Sequence, residues 1–280
     1  MTRKGAGVLR RLLIGTRVGL WGGVLVGLVT MAAVLAPLIA PYNPYRMNSR
    51  EMLSPPSAQH LLGTDNYGRD VLARVIYGSR VSLYVGMMSV AICLAIGAPL
   101  GLIAGCSKRL DNPIMRTMDV LFSFPPILLA IVIVAVLGPG LTNSMIAIGI
   151  TGIPRLARLT RSQAISVAGM DYVSAAVAIG CSRTRVIVFH ILRNSTAILV
   201  VQASVMFAGA ILAEAALSFL GLGAQPPAAS WGAMLSQARL FLEIAPWLSI
   251  FPGVAIMISV LGFNFLGDGL RDVLDPTLRR

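Results

Sequence analysis

Apolar residues follow one another along the chain in long runs that are separated by shorter polar stretches. A helix needs about 20 mostly apolar residues to cross the hydrocarbon core of a bilayer. The longest runs predict crossings at 18–39, 81–104, 197–220 and 247–266, and shorter runs at 126–137 and 141–153 bring the total to about six. The pattern therefore predicts an all-α polytopic membrane protein.

Two of the predicted crossings carry irregular features. The run at 141–153 is short, so we expect its helix to continue past Pro154 and to extend Arg155, Arg158 and Arg161 into the lipid headgroups. In the second crossing, small residues recur at a spacing of four, which predicts a face for close helix packing: Gly97, Gly101 and Gly105. We also expect Trp231 and Trp247 at a membrane interface.

Residues 171–194 form the longest stretch of mixed polar and apolar residues between two apolar runs, and they read DYVSAAVAIGCSRTRVIVFHILRN. Tyr172, Ala175, Ala176 and Ile179 lie on one stripe of a helix. Asp171 is predicted to cap this helix, Gly180 to end it in the left-handed region, and Ser182 to cap the next helix. A short helix with a small, weakly apolar face suits a groove on a partner protein, and it equally suits the lipid headgroup region.

Composition supports a membrane protein and indicates its orientation. The 280 residues are 56% hydrophobic and 12% charged, and the formal net charge is +12. Most of the 23 lysines and arginines lie in the segments on the N-terminal side of the membrane, so this charge indicates orientation and anionic lipid, not nucleic acid. The positive-inside rule predicts that both termini and residues 171–194 are cytoplasmic.

The sequence has few residues for catalysis. Three cysteines and two histidines are dispersed, without the spacing of a disulfide framework or a metal site, and the crossings offer only Glu214 and Cys93 as reactive groups. No G-x-x-x-x-G-K-[ST] motif occurs, and the only lysines are Lys4 and Lys108. We therefore expect no catalytic residue and no metal site, and any ATP hydrolysis must be carried out by another chain.

The interval at 171–194 resembles the EAA loop of bacterial ABC importer permeases. That family's pattern is E-A-A, three residues, Gly, nine residues, I-x-L-P, and here the matching positions are Ser174-Ala175-Ala176, Gly180 and His190–Arg193. The acidic residue, the Ile and the closing Pro are replaced. Residues 61–83, 119–140 and 213–235 are similar to the dipeptide, oligopeptide and nickel branch, and most closely to its second, C-type permease.

The resemblance implies a fold, partners and a location. The fold would be that of a type I ABC importer permease in the bacterial cytoplasmic (inner) membrane, paired with a homologous sister permease. Two cytosolic subunits would bind ATP and Mg, this chain would hold no cofactor, and an extracytoplasmic binding protein would deliver the substrate. The implied function is import of di- and oligopeptides by alternating access; glutathione or nickel as cargo, or a secondary transporter, remain alternatives.

The predicted organisation is a cytoplasmic tail at 1–17 and one transmembrane permease domain at 18–280, with an external segment at about 41–80 and a coupling loop at about 155–195. The candidate ATPase-coupling residues are Asp171, Tyr172, Ser174, Ala175, Ala176, Ile179 and Gly180. Glu214, Met87 and Met206 are candidate pathway residues, although Glu214 also suits a buried structural hydrogen bond and the methionines suit packing. Arg69, Asp70 and Arg74 are candidate contacts for the binding protein, or surface ion pairs.

Overall fold

The computed structural model describes residues 17–274, and these residues form nine helices with no sheet. The predicted tail at 1–17 lies outside the described residues, except for Arg17. Two 3-10 turns, Ser49–Glu51 and Arg239–Phe241, lie in the connecting loops. The helices are α1 Arg17–Ile39, α2 Val71–Cys106, α3 Lys108–Phe122, α4 Pro126–Leu137, α5 Leu141–Ala168, α6 Asp171–Ala178, α7 Arg183–Phe219, α8 Trp231–Ala238 and α9 Trp247–Leu274.

The long apolar helices agree with the prediction of a polytopic membrane protein. By length and composition, α1, α2, α7 and α9 can each cross a bilayer. If α3 and α4 are taken together as one span bent by 89°, the described residues contain up to five crossings. The bend occurs at Ser123–Pro125, where two prolines, Pro125 and Pro126, follow each other. The sixth predicted crossing is α5, which has 28 residues but carries three arginines in its second half.

Two helices extend beyond their apolar runs. Helix α2 begins at Val71 instead of residue 81, because Asp70 caps it: the Asp70 Oδ1 atom accepts a hydrogen bond from the Ala73 N–H at 2.7 Å. Helix α5 continues through Pro154 to Ala168, as predicted. Hydropathy alone identifies the apolar centre of such helices but not their polar ends.

The glycine face of α2 packs directly on α5. A Cβ atom at Gly101 would lie 2.4 Å from the Ala157 carbonyl oxygen, and one at Gly105 would lie 2.6 Å from the Ala164 Cβ. Only glycine allows the two backbones to approach this closely. The predicted close-packing face is confirmed, and it places α5 against the length of α2.

The tryptophans near the loops hold the structure together. Trp231 is only 2% exposed, lies against Gly78, and donates a hydrogen bond from Nε1 to the Val75 carbonyl oxygen at 2.9 Å. Trp247 is partly buried and donates from Nε1 to the Thr64 carbonyl oxygen at 3.3 Å. The prediction of Trp231 in an interface belt is therefore wrong, because α8 folds back and buries the ring.

Residues 40–70 and 221–246 together form a loop layer at one end of the helices. The two segments are joined by a hydrogen bond of 3.0 Å from Arg69 Nη2 to Gln237 Oε1, as well as by the bond from Trp247. Helix α6 lies at the other end of α7, which is 37 residues and hence about 55 Å long. The molecule therefore has two separate terminal surfaces.

Candidate functional site

Helix α6 has the start and stop signals that its sequence predicts, with one difference. Met170, not Asp171, is the N-cap residue, so the Asp171 carboxylate lies in the first turn and interacts favourably with the helix dipole. At the end, Gly180 has φ +89°, and the N–H groups of Gly180 and Cys181 bond to the carbonyls of Val177 and Ala176. This is a Schellman motif. Ser182 Oγ then accepts from the Arg185 N–H at 3.4 Å, which confirms its capping role.

Only part of the predicted α6 stripe faces the protein. Val173 and Ala176 are buried, and Val173 packs against side chains of α2, α5 and α7. Tyr172 is 42% exposed and Ile179 is 82% exposed. The turn of 100° per residue places Ser174, Ala175 and Ala178 on the face opposite the buried pair, and all three are exposed. We call this face the α6 crest.

Tyr172 joins α6 to the start of α7. Its hydroxyl accepts a hydrogen bond of 2.7 Å from Asn194 Nδ2, and its ring centroid lies 6.1 Å from that of His190. The linked part of α7 includes a π-helical stretch at Val186–Leu192. These contacts tie the crest mechanically to a helix that runs the length of the molecule.

The charged residues of the loop layer are buried among their own partners. Asp65 Oδ2 accepts a hydrogen bond of 2.7 Å from Arg69 Nε and lies 3.6 Å from Arg74 Nε. Arg69, Asp70 and Arg74 are each no more than 3% exposed. The prediction that these three contact a binding protein is therefore wrong, and so is the alternative of surface ion pairs, because their side chains do not reach the surface.

His60 lies between two carboxylates of the loop layer. Its Nδ1 atom lies 2.8 Å from Asp70 Oδ2, and its Nε2 atom lies 3.3 Å from Glu51 Oε2. Burial of the imidazole disfavours its charged form, but the hydrogen bonds to the two carboxylates outweigh that effect, so the pKa of His60 is raised above 6.5.

The exposed part of the loop layer is rich in large apolar and aromatic side chains. These residues come from both segments, and each is at least 41% exposed: Tyr42, Tyr45, Met47, Met52, Leu61, Tyr67, Leu240, Leu242 and Ile244. Aromatic residues and methionine are enriched at protein interfaces. This surface, and not the buried arginines, is the part of the layer that a partner can touch.

A cavity of about 450 Å³ lies between α2, α3, α4, α5 and α7. Of the three candidate pathway residues, Met206 lines it. Met87 is 57% exposed and does not line it. Glu214 is fully buried and does not line the cavity, and its Oε1 atom accepts a hydrogen bond of 2.7 Å from Ser218 Oγ.

The three arginines of α5 have different environments. Arg161 binds both carboxylate oxygens of Asp111, at 2.5 and 2.6 Å, and Arg158 Nη2 donates to Asp119 Oδ1 at 2.8 Å. Arg155 lines the cavity. The expectation that all three extend into headgroups is corrected, because α3 supplies carboxylates for two of them.

Comparison with known proteins places these features in a family context. Residues 97–280 match the family model described as "Binding-protein-dependent transport system inner membrane component", and residues 8–56 match "N-terminal TM domain of oligopeptide transport permease C". The chain is 49% identical to the dipeptide transport system permease protein DppC of Alkalihalophilus pseudofirmus, over 89% of this chain and 82% of that protein. It is 47% identical to the di/tripeptide transport system permease protein DppC of Pseudomonas aeruginosa, over 93% and 89% of the two chains.

A solved structure has the same fold at low sequence identity. The chain matches a structure of the inward-facing MetNI methionine ABC transporter with a TM-score of 0.62 and 18% identity, over 72% of this chain and 97% of that chain. At this identity the match concerns the arrangement of helices alone.

Proposed function

The chain belongs to the family of binding-protein-dependent transport system inner membrane components, as a C-type permease of an ABC importer, and from this premise we propose that it carries di- and oligopeptides across the bacterial cytoplasmic membrane. The names of relatives at 47–49% identity support this cargo. No group of three or more His, Cys, Asp or Glu side chains in residues 17–274 could hold a metal ion, which favours peptides over nickel.

The observation that carries the mechanism is the α6 crest. It presents small side chains to the outside while Val173 and Ala176 hold the helix against the protein. Small side chains allow a helix to enter a groove closely, and the exposed Tyr172 and Ile179 offer apolar contact beside it. We assign the crest as the surface that docks on a cytosolic ATPase, with one further ATPase on the sister permease. ATP and Mg²⁺ belong to those subunits, not to this chain.

The contacts of Tyr172 and Asn194 then carry motion from the ATPase to the membrane helices. When ATP draws the two ATPases together, α6 moves with its groove, and the hydrogen bond to Asn194 pulls the start of α7 with it. Since α7 also lines the cavity through Met206, the same displacement changes access to the cavity. This is alternating access through a rigid two-state element.

The exposed apolar residues of the loop layer are the proposed contact for an extracytoplasmic binding protein. They lie at the end of α7 opposite to α6, so the two partners would approach from opposite sides of the membrane. Glutathione and nickel remain the competing cargoes, and a cargo series separates them from peptides.

The test is ATPase activity and uptake in proteoliposomes that contain this chain, its sister permease, the ATPases and the binding protein. The variant is Ala178→Trp, which adds bulk at an exposed position of the crest without touching the core, and Ala178→Ser is its matched control. Because the bulky side chain blocks close docking, we expect dipeptide-stimulated ATPase activity to fall by about tenfold or more in Ala178→Trp and to change less than about twofold in Ala178→Ser.

The complex with the Ala178→Trp chain is also examined by copurification. Loss of the ATPases from an intact permease pair supports the docking surface, whereas normal coupled uptake in this variant contradicts it. Stimulation by glutathione or Ni²⁺, with none by dipeptide, would reassign the cargo without changing the family.

A further inference from the structure

Helix α3 supplies a carboxylate to two of the three arginines of α5, and the third, Arg155, receives none. Running from the end of α5 toward its middle, Arg161 pairs with Asp111 and Arg158 pairs with Asp119. At the end of α3 the Phe122 ring lies beside Arg158, 4.4 Å from its guanidinium carbon to the ring centroid, and the chain continues through Phe124. Within residues 17–274, Arg155 has neither a carboxylate within 4.0 Å nor a hydrogen bond from its side chain.

Arg155 lines the wall of the cavity, together with aromatic and apolar side chains from five helices. A charged group in the apolar part of a membrane protein is costly unless it has a partner or water, and such groups mark pathways. The two neighbouring arginines satisfy this requirement within the chain. Arg155 has no such partner among the described residues, and its exposed side chain at the cavity wall is available to an anion that enters the cavity.

We propose that Arg155 binds the terminal carboxylate of a peptide in transit through this cavity. The inference rests on the proposed function and adds the atom-level contact that the family assignment lacks. Every di- and oligopeptide carries this carboxylate, whatever its side chains, so a single guanidinium recognises all of them through a two-pronged hydrogen-bond pair. The site therefore requires a carboxylate on the peptide and places no requirement on its side chains.

The remaining walls fit a cargo of variable side chains. Phe122, Phe124 and Leu129 offer apolar contact, and Met206 adds a flexible thioether that adapts to different shapes. The volume of about 450 Å³ lies in the range of small-ligand pockets. Arg155 is also exposed at the cavity wall, so water competes with the carboxylate. The site therefore holds its ligand weakly, as a transported molecule requires.

The experiment compares uptake of one dipeptide and of its C-terminal amide by the full importer in proteoliposomes, each at a concentration that saturates the binding protein. The variants are Arg155→Gln and Arg155→Lys, and Arg158→Gln is the matched control on the same helix. We expect Arg155→Gln to lower the uptake rate of the free dipeptide by about tenfold or more and to leave that of the amide unchanged. Arg155→Lys should restore part of the loss, and Arg158→Gln should leave the ratio of the two substrates unchanged.

A second measurement does not need the binding protein. Saturation-transfer NMR detects weak binding of the same dipeptide to the detergent-solubilised permease pair, and we expect the signal to be lost in Arg155→Gln and kept in Arg158→Gln. Three results would overturn the inference: an equal loss for dipeptide and amide, an unchanged NMR signal in Arg155→Gln, or failure of this variant to pair with the sister permease. The last would show that the partner anion is a carboxylate of the sister chain. If the wild-type importer takes up no dipeptide at all, it is the proposed cargo that fails.

Discussion

The charged side chains of the loop layer can be buried because hydrogen-bond donors and opposite charges surround them, and Asp65 is the clearest case. Asp65 accepts hydrogen bonds from the backbone N–H groups of Tyr67 and Arg69 as well as from the Arg69 side chain. A carboxylate with this many donors is stable away from water. Sequence reasoning placed these residues at the surface, because polarity can be read from a sequence but the donors that a folded loop collects around a side chain cannot.

The loop layer should become less stable as pH rises. His60 has a raised pKa when folded, so its bonds to Asp70 and Glu51 stabilise the layer fully below its unfolded pKa of about 6.5, and this stabilisation is lost as pH rises through the folded pKa. Replacing His60 with Gln should therefore lower the melting temperature more at about pH 5 than at about pH 8.5. Differential scanning fluorimetry of the purified chain in detergent measures both values.

The control for this pH dependence is the other histidine. His190 lies in α7 at the opposite end of the molecule, with its ring near that of Tyr172. His190→Gln is measured at the same two pH values, as a histidine change outside the loop layer. A destabilisation by His60→Gln that is the same at both pH values would show that the ring contributes only packing and neutral hydrogen bonds.

Helices and their contacts were largely predictable, for reasons that differ from one helix to another. Gly180 and Ser182 carry the local chemistry of a stop and a cap, so the end of α6 and the start of α7 could be read directly. The inward face of α6 could not be read, because the spacing of apolar residues allows two overlapping stripes, and only packing on α2 and α5 selects Val173 with Ala176. Likewise, the sequence of α8 does not indicate that Trp231 is buried.

The contact between α2 and α5 gives a sharp prediction at the scale of helices. A Cβ at Gly101 would overlap the backbone carbonyl oxygen of Ala157, which has little freedom to move, so Gly101→Ala should destabilise the chain by about 1–3 kcal/mol. Gly27 in α1 has nothing within 4 Å of its Cβ position, so Gly27→Ala should leave stability unchanged or raise it by up to about 1 kcal/mol. Unfolding curves in mixed micelles compare the two variants directly. Equal stability of both would mean that the two helices can separate without cost.

At the scale of the whole molecule, the structure is a bundle of apolar helices with a different surface at each end. The order of the longest crossings follows from the apolar runs, and the family assignment follows from the motifs, but six crossings were predicted and the helices of residues 17–274 support four or up to five by length and composition. The cavity could not be predicted, because its walls come from residues of α2, α3, α4, α5 and α7 that are far apart in sequence. Arg155 was visible in the sequence only as one of three similar arginines.

The orientation of the chain is a prediction that labelling can test. Ile179 beside the α6 crest and Leu240 in the loop layer are 82% and 76% exposed, so a cysteine at either position should react with a membrane-impermeant maleimide. In a background where Cys106 and Cys181 are serine, we expect Ile179→Cys to react only in inside-out vesicles and Leu240→Cys only in right-side-out vesicles. The reverse pattern would place α6 outside the cell and would contradict its docking on a cytosolic ATPase.

The π-helical stretch at Val186–Leu192 sets the rotational phase between these two regions of the molecule. Its hydrogen bonds reach the fifth residue along the chain, so it accommodates more residues per turn than the α-helix on either side. Loss of one residue there would let the stretch return to ordinary winding. Because the wide turns had absorbed that residue, the flanking segments would rotate relative to each other by much less than the roughly 100° that one residue contributes in an α-helix. Length is therefore less constrained in this stretch than elsewhere in α7: a single deletion here would keep the α6 crest and the cavity wall nearly in phase, whereas a deletion in the α-helical part between them would turn one away from the other.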